Sequence, residues 1–257
     1  LRVNRRRTTR AALIEQLHLD GQTAESHAWL ADAIRLPHSV DVTRLPGFAD
    51  GLFAVQDGAA QVAADLVDAP AGARVLDACA APGGKACHLL ERADVELTAL
   101  EFDPQRVDRI RDNLRRLRLD ARLLTGDAGE PKRWWDHQVF DRILIDAPCS
   151  ATGVLRRRPD VRLHRRAGDI AAMNAQQARI LTALWPLLAP GGRLVYATCS
   201  LLRTENEGIV GPFLAAHADA EAVPFTLPVG QAAAVGWQIL PGDGDLDGMY
   251  YAVLAKR

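Results

Sequence analysis

Two cysteines stand where apolar runs end. Cys149 lies in DAPCSATG (Asp146 to Gly153), directly behind Pro148, and Cys199 lies in YATCS (Tyr196 to Ser200). A thiol so placed could be a small buried hydrophobe, half of a disulfide, a metal ligand or a catalyst. Four cysteines, Cys79, Cys87, Cys149 and Cys199, in 257 residues are no disulfide scaffold. They contain no CxxC pair and their separations match no zinc pattern, so no metal site is expected. A free thiolate is a strong nucleophile, able to add to an electron-poor ring and begin covalent catalysis. A lone cysteine is usually packing material. Cys79, which opens a glycine turn, and Cys87, inside a helical stretch, are read that way as thiols. Two thiols at adjacent strand ends fit it poorly.

Acids and glycines at other strand ends describe a ligand. DACAAPGGK (Asp77 to Lys85) closes one apolar run, and its small residues with Gly83 and Gly84 let backbone approach a ligand while the next helix offers free N–H groups. It is neither GxGxxG nor a phosphate-binding GK[ST] loop, which weakens dinucleotide and nucleoside-triphosphate readings. Glu101 ends the second run, where an acid can hold two ribose hydroxyls; Asp127 ends the third, where it can accept from an adenine amine. Each acid alone could merely cap a helix. At successive strand ends they favour an adenosine pocket.

The elements that must position these residues alternate regularly. ARVLDACA, VELTALEFD, ARLLTGDA, FDRILIDAP and GRLVYATCS read as buried strands, and helical stretches separate most of them. One helix is expected over roughly 169–188, stopping at Pro190-Gly191-Gly192, and another over ENEGIVGPFLAAH, bent near Pro212. Continuous Val, Ile and Leu strands between helices signal a mostly parallel α/β sheet covered on both faces. GMYYAVLAKR is a terminal strand suited to an antiparallel place at the sheet edge. Residues 1–67 are expected to form a small α/β unit, with strands in LRVN, AWLADAI and GLFAVQD and a helix in TRAALIEQLHLDG; residues 68–257 form the main domain.

Composition is that of an ordinary soluble domain, 48% hydrophobic and 25% charged, and no apolar run reaches the ~18 residues of a membrane helix. A net charge of −1 does not advertise a nucleic-acid binder, but the distribution is uneven. Arg2, Arg5, Arg6, Arg7 and Arg10 crowd the start and read as a solvated face. Arg156, Arg157, Arg158, Arg162, Arg165 and Arg166 follow DAPCSATG with only Asp160 opposing them, while acid gathers in GDGDLDG (Gly242 to Gly248). The second arginine cluster is suited to attract phosphates, and the resemblance drawn below implies that Arg156, Arg157, Arg158 and Arg162 would meet those of RNA.

CAAPGGK, DAPCSATG, RRRPDVR and YATCS together resemble the S-adenosylmethionine-dependent RNA cytosine-carbon-5 methyltransferases, most closely the bacterial small-subunit ribosomal RNA methyltransferase B family. The resemblance covers nearly the whole chain. It implies a Rossmann-like class I methyltransferase domain behind a small RRM-like subdomain. Cys199 would then be the nucleophile on carbon 6 of cytosine, Cys149 would help release the enzyme by elimination, and Asp146 would bind the cytosine edge. The cofactor would be held by Cys79, Ala80, Ala81, Pro82, Gly83, Gly84 and Lys85 with Glu101, Asp127 and Asp146. The implied partner is RNA, 16S ribosomal RNA by family, for a cytoplasmic monomer with no membrane or obligate protein partner. A helical RNA-binding domain of NusB type precedes this region in the family, and a chain opening on Leu1 is expected to be a fragment. Departures are modest: Glu101 stands where Asp is frequent, Ala86-Cys87 replaces a hydroxyl-bearing pair, and Met249-Tyr250 replaces a Phe-Phe pair.

Rival readings stay open at the level of sequence. A DNA cytosine methyltransferase would use the Pro-Cys thiol, Cys149, as nucleophile and leave Cys199 without a role. A non-catalytic RNA-binding module would keep the fold but let the thiols or cofactor acids decay, and here all are present. Zinc binding by the cysteines is a third possibility.

Overall fold

A computed structural model describes residues 1–164 and 166–257, and the side chains of all of these except Arg162, His164 and Ala167. Its centre is a nine-stranded sheet. Strands β1 (Arg74–Ala78), β2 (Glu96–Glu101), β3 (Arg122–Thr125), β4 (Phe140–Asp146) and β5 (Leu188–Thr198) run parallel in the order β3-β2-β1-β4-β5. The terminal strand β6 (Met249–Lys256) pairs antiparallel with β5, as its sequence anticipates. Outside it the short strands Ala220–Ala222, Trp237–Ile239 and Gln231–Ala232 complete the antiparallel margin.

Alternate residues of each central strand enter opposite cores. Val75 and Leu144 pack under Gly58–Val67, α1 (Gly84–Arg92) and α2 (Pro104–Leu117), whereas Leu76, Ile143 and Ile145 pack under α3 (Ala167–Leu184) and α4 (Glu207–Ala216). Burial on both faces is why these strands read as unbroken apolar runs. The helix expected to stop at Pro190 ends earlier, at Leu184. Pro186 cannot donate to the helix ladder, so the chain takes a 3-10 turn over Trp185–Leu187 and enters β5 at Leu188.

Residues before the main sheet form a smaller unit with its own core of Val3, Leu13, Leu17, Ala24, Ile34, Leu45 and Phe53. Its helix Arg10–Leu19 is capped by Thr9, and Gly21 takes the positive φ of a helix exit. Strand content is slight: Arg2–Val3 pairs with Phe53–Ala54 and Glu25–Ser26 with Ile34–Arg35. AWLADAI is mostly turn and bend, and only its end pairs: Ala33 bridges Arg2 and Ile34 joins the two-residue ladder with Glu25–Ser26.

The amino-terminal arginines are not uniformly a solvated face: Arg5 and Arg6 are exposed, but Arg2 is not. Arg2 is fully buried, giving a two-pronged ion pair to Glu91 at 2.8 and 2.7 Å and donating to Gln56 Oε1 (2.6 Å) and the Gly84 carbonyl (2.5 Å). Arg5 pairs with Asp32, and Arg6 reaches Asp94 and the Ala93 carbonyl. Through Arg2 and Arg6 the small unit is thereby tied to both ends of α1, at Gly84 and at Glu91 to Asp94. Removing one partner of a buried pair strands the other charge. Arg2→Met is therefore expected to cost about 3–5 kcal/mol. Arg2→Met with Glu91→Met should recover most of that loss in urea melts.

Candidate active site

The ladder register brings the residues marked by sequence to one edge. Ala78 faces both Leu100 and Ile145, so Cys79, Glu101 and Asp146 leave the sheet at the same level, where strand order reverses between β1 and β4. The Cys79 to Lys85 loop is gripped from β2. Buried Glu101 accepts from the Ala81 N–H (3.1 Å), the Asp103 N–H (3.2 Å) and Arg106 (3.1 Å), and Arg106 also donates to the Ala81 carbonyl at 2.8 Å. Helix α2 is capped by Asp103, not Glu101. Gly83 sits at φ +97°, and a Cβ there would come within 3.2–3.3 Å of Ile110, so glycine answers both the conformation and the close approach.

Glu101 and Asp127 line one cavity of about 430 Å³ with Leu100, exposed Phe102, Pro148 and Ile180. Asp127 accepts from the Gly129 N–H at 2.7 Å and takes a two-pronged contact from Arg179 at 3.1 and 2.9 Å. Sequence reading passed over Arg179 and Arg106, because neither lies in a motif and only the fold sets them against the two acids. Beneath the loop lies Asp77, wholly buried, with little but the Ala86 N–H turned toward its carboxyl. Burial and the neighbouring Asp146 push it well above the usual carboxylate range. Apolar walls, hydroxyl-accepting acids and an orphaned carboxyl that would welcome an ammonium fit an amino-acid-bearing nucleoside such as S-adenosylmethionine.

Beside this cavity, Lys85 donates to Asp146 at 2.7 Å. Burial alone would discharge Lys85, but the Asp146 carboxylate outweighs it and raises the ammonium above its ordinary value. The sequence grouped Lys85 with the cofactor loop; its head group reaches the catalytic candidate on β4.

The two thiols do meet. Cys149 Sγ lies 3.4 Å from Cys199 Sγ, although the residues come from separate strand ends. The Gly153 N–H donates to the Cys199 carbonyl at 2.9 Å and the Leu201 N–H to Thr152 Oγ1 at 2.9 Å, stitching the loops together. A Cβ on Gly153 would stand 2.2 Å from the Gly248 carbonyl, which explains the glycine in DAPCSATG. Hydrogen bonding with Cys149 holds Cys199 below the ordinary thiol range, with Lys85 assisting, while the same bond and burial drive Cys149 well above it. Cys79 is pushed up by burial, and buried Cys87 up to about 12, as inert thiols should be.

The arginines after DAPCSATG divide. Arg156 donates to the Asp245 carbonyl at 2.6 Å and Arg157 pairs with Asp247, both in the acidic stretch that sequence treated as a separate patch. Arg158 is exposed and has no ion pair among the described residues. The side chain of Arg162, and all of Arg165, lie outside the described residues.

A lowered pKa means more thiolate at a given pH. Cys199 is therefore expected to alkylate with iodoacetamide along a pH profile whose inflection lies below that of a free thiol. Cys149→Ala, which removes the hydrogen bond, should move that inflection upward; an unchanged profile would refute the pairing as its cause.

Known proteins share this organisation. A family model described as 16S rRNA methyltransferase RsmB/F matches residues 64–255, and one described as an RsmF/B-like ferredoxin-like domain matches residues 1–43. Ribosomal RNA small subunit methyltransferase B of Xanthomonas campestris pv. campestris is 52% identical over 259 residues, taking in 100% of this chain and 59% of that protein. The same-named protein of Pseudomonas syringae pv. tomato is 49% identical over 264 residues, again 100% of this chain and 59% of the relative. The chain thus spans about three fifths of the length of these curated relatives. A solved methyltransferase homolog protein from Pyrococcus horikoshii matches with a TM-score of 0.86 at 27% identity, covering 100% of this chain and 85% of that one. Identity near one half along the whole chain goes beyond a shared fold, and the chain belongs to the RsmB/F methyltransferase family.

Proposed function

We propose that this chain methylates carbon 5 of a cytosine in small-subunit ribosomal RNA, working in the cytoplasm through a covalent adduct on Cys199. The observation that carries the reading is the pair of thiols 3.4 Å apart, near the Lys85–Asp146 ion pair and the cavity lined by Glu101 and Asp127. S-adenosylmethionine, held by Cys79 to Lys85, Glu101, Asp127 and Asp146, supplies an electrophilic methyl group when bound. Relatives are named for methylation of small-subunit ribosomal RNA, which supports the choice of substrate.

Cys199 is the better nucleophile of the pair because its thiolate is the favoured one. Its sulfur adds to carbon 6 of cytosine, and the displaced π electrons make carbon 5 nucleophilic. Asp146 accepts from the cytosine 4-amine, while the ammonium of Lys85 beside it offsets the negative charge that spreads into the ring. After methylation a base removes the carbon-5 proton. The electrons of that C–H bond re-form the C5–C6 double bond, and Cys199 leaves as a thiolate. Cys149 keeps its proton at neutral pH and stands within hydrogen-bonding distance of the departing sulfur, suited to assist that departure.

The assignment separates cleanly from one in which Cys149 attacks. Incubated with cofactor and unmodified small-subunit RNA, Cys149→Ala should accumulate a covalent RNA–protein band on a denaturing gel, and Cys199→Ala should form none and transfer no methyl. A band persisting in Cys199→Ala would exchange the two roles. RNA attraction is expected to rest on Arg158 more than on its ion-paired neighbours. Arg158→Ala should lower the slope of log K against log salt by about 0.7, the value for one single-strand phosphate contact. Arg156→Ala should change the slope less, because that side chain is already engaged with Asp245.

A further inference from the structure

Ladder hydrogen bonds hold β4 and β5 together only as far as Asp146 and Ala197, and both thiols lie beyond that point. The residue after each cysteine shows what takes over. The Ser150 N–H donates to Glu205 Oε1 at 2.8 Å, Ser150 Oγ donates to Oε2 at 2.5 Å, and Ser200 Oγ donates to the same oxygen. Gln177 on α3 completes the set, donating from one amide nitrogen to Glu205 Oε1 at 3.2 Å and to the Pro148 carbonyl at 2.8 Å. Glu205 is fully buried, and no ion pair to Lys or Arg reaches it among the described residues. Its own backbone is anchored as well, its carbonyl accepting from Tyr196 at 2.8 Å, while neighbouring Asn206 donates to the Ser200 carbonyl at 3.0 Å.

We infer that Glu205 is a positioning residue whose carboxylate sets the separation of Cys149 and Cys199. A buried carboxylate is tolerated only where donors replace its water. Here those donors come mostly from the two cysteine loops, so the drive to satisfy the carboxylate is also a force drawing the loops together. Glu205 meets neither thiol. It acts through Ser150 and Ser200, the immediate neighbours of both.

An ordinary core residue would affect stability alone; this one must also affect how often the thiols meet. That frequency is read by equilibration with glutathione. Glutathione disulfide is reduced to two glutathione thiols as the Cys149–Cys199 bond forms, and both cysteine hydrogens pass to glutathione, so the constant measures the effective concentration of one thiol at the other. Trapping and peptide mapping keep Cys79 and Cys87 out of the measurement. Loss of hydrogen bonds to a charged acceptor predicts a fall on the order of tenfold or more in Glu205→Gln. Ser150→Ala with Ser200→Ala, which keeps the carboxylate and the Ser150 N–H bond, should give a smaller fall and answers the question if Glu205→Gln does not fold. A folded variant whose constant stays within about twofold of the parent overturns the proposal.

The catalytic consequence rests on the roles proposed above for the two cysteines. If Cys149 assists release, Glu205→Gln should slow turnover more than attack and accumulate the covalent RNA adduct with an unchanged cofactor Kd. A fall in the glutathione constant without any adduct would leave Glu205 as the positioning residue and count against the methyl-transfer reading alone.

Discussion

A parallel strand buried on both faces can display polar chemistry only where it stops. That constraint governs this molecule. Along Val75 to Ala78, Ile143 to Ile145 and Leu194 to Ala197 every side chain except Asp77 enters one of two apolar cores, and the site groups gather at the level of Cys79, Glu101 and Asp146 and a few residues beyond. Strand order reverses between β1 and β4, parting the loops above them and leaving a crevice. The cavity lined by Glu101 and Asp127 lies at this edge of the sheet, as do the paired thiols and the Lys85–Asp146 ion pair.

Confinement forces ionisable groups close together, and the structure separates them by environment. Asp77 has scarcely a donor and is driven toward its neutral form, whereas Asp146 faces an ammonium at 2.7 Å. Glu205 is buried as completely as Asp77 but surrounded by hydroxyl, amide and backbone donors. The thiols divide on the same principle, since sharing one hydrogen bond favours the anion on Cys199 at the expense of Cys149. Groups of like type thus sit in unlike surroundings because the donors around them differ.

Much of this was legible in the sequence, for reasons that also explain what was not. The five parallel strands announced themselves as apolar runs, and Glu101, Asp127, Cys149 and Cys199 were marked by standing at the ends of those runs. The small unit was blurred, since strands of two residues carry no periodicity. Charge clusters misled. Arg2 looked solvated beside four other arginines, but its partner Glu91 lies 89 residues away. Arg157 meets its acid across 90 residues. Glu205 opened the helix expected over ENEGIVGPFLAAH and was given no role there; it lies instead in a 3-10 turn before that helix, and only the convergence of the loops after Cys149 and Cys199 shows it to be interior.

The contact between Arg2 and the Gly84 carbonyl bears on how the molecule comes apart. A small unit with its own core could in principle melt first and leave the main domain intact. Here the guanidinium that satisfies Glu91 belongs to the small unit, so its departure would leave a carboxylate unpaired inside the larger one. Partial unfolding at that boundary carries a penalty on both sides, and the two units should share a single cooperative transition.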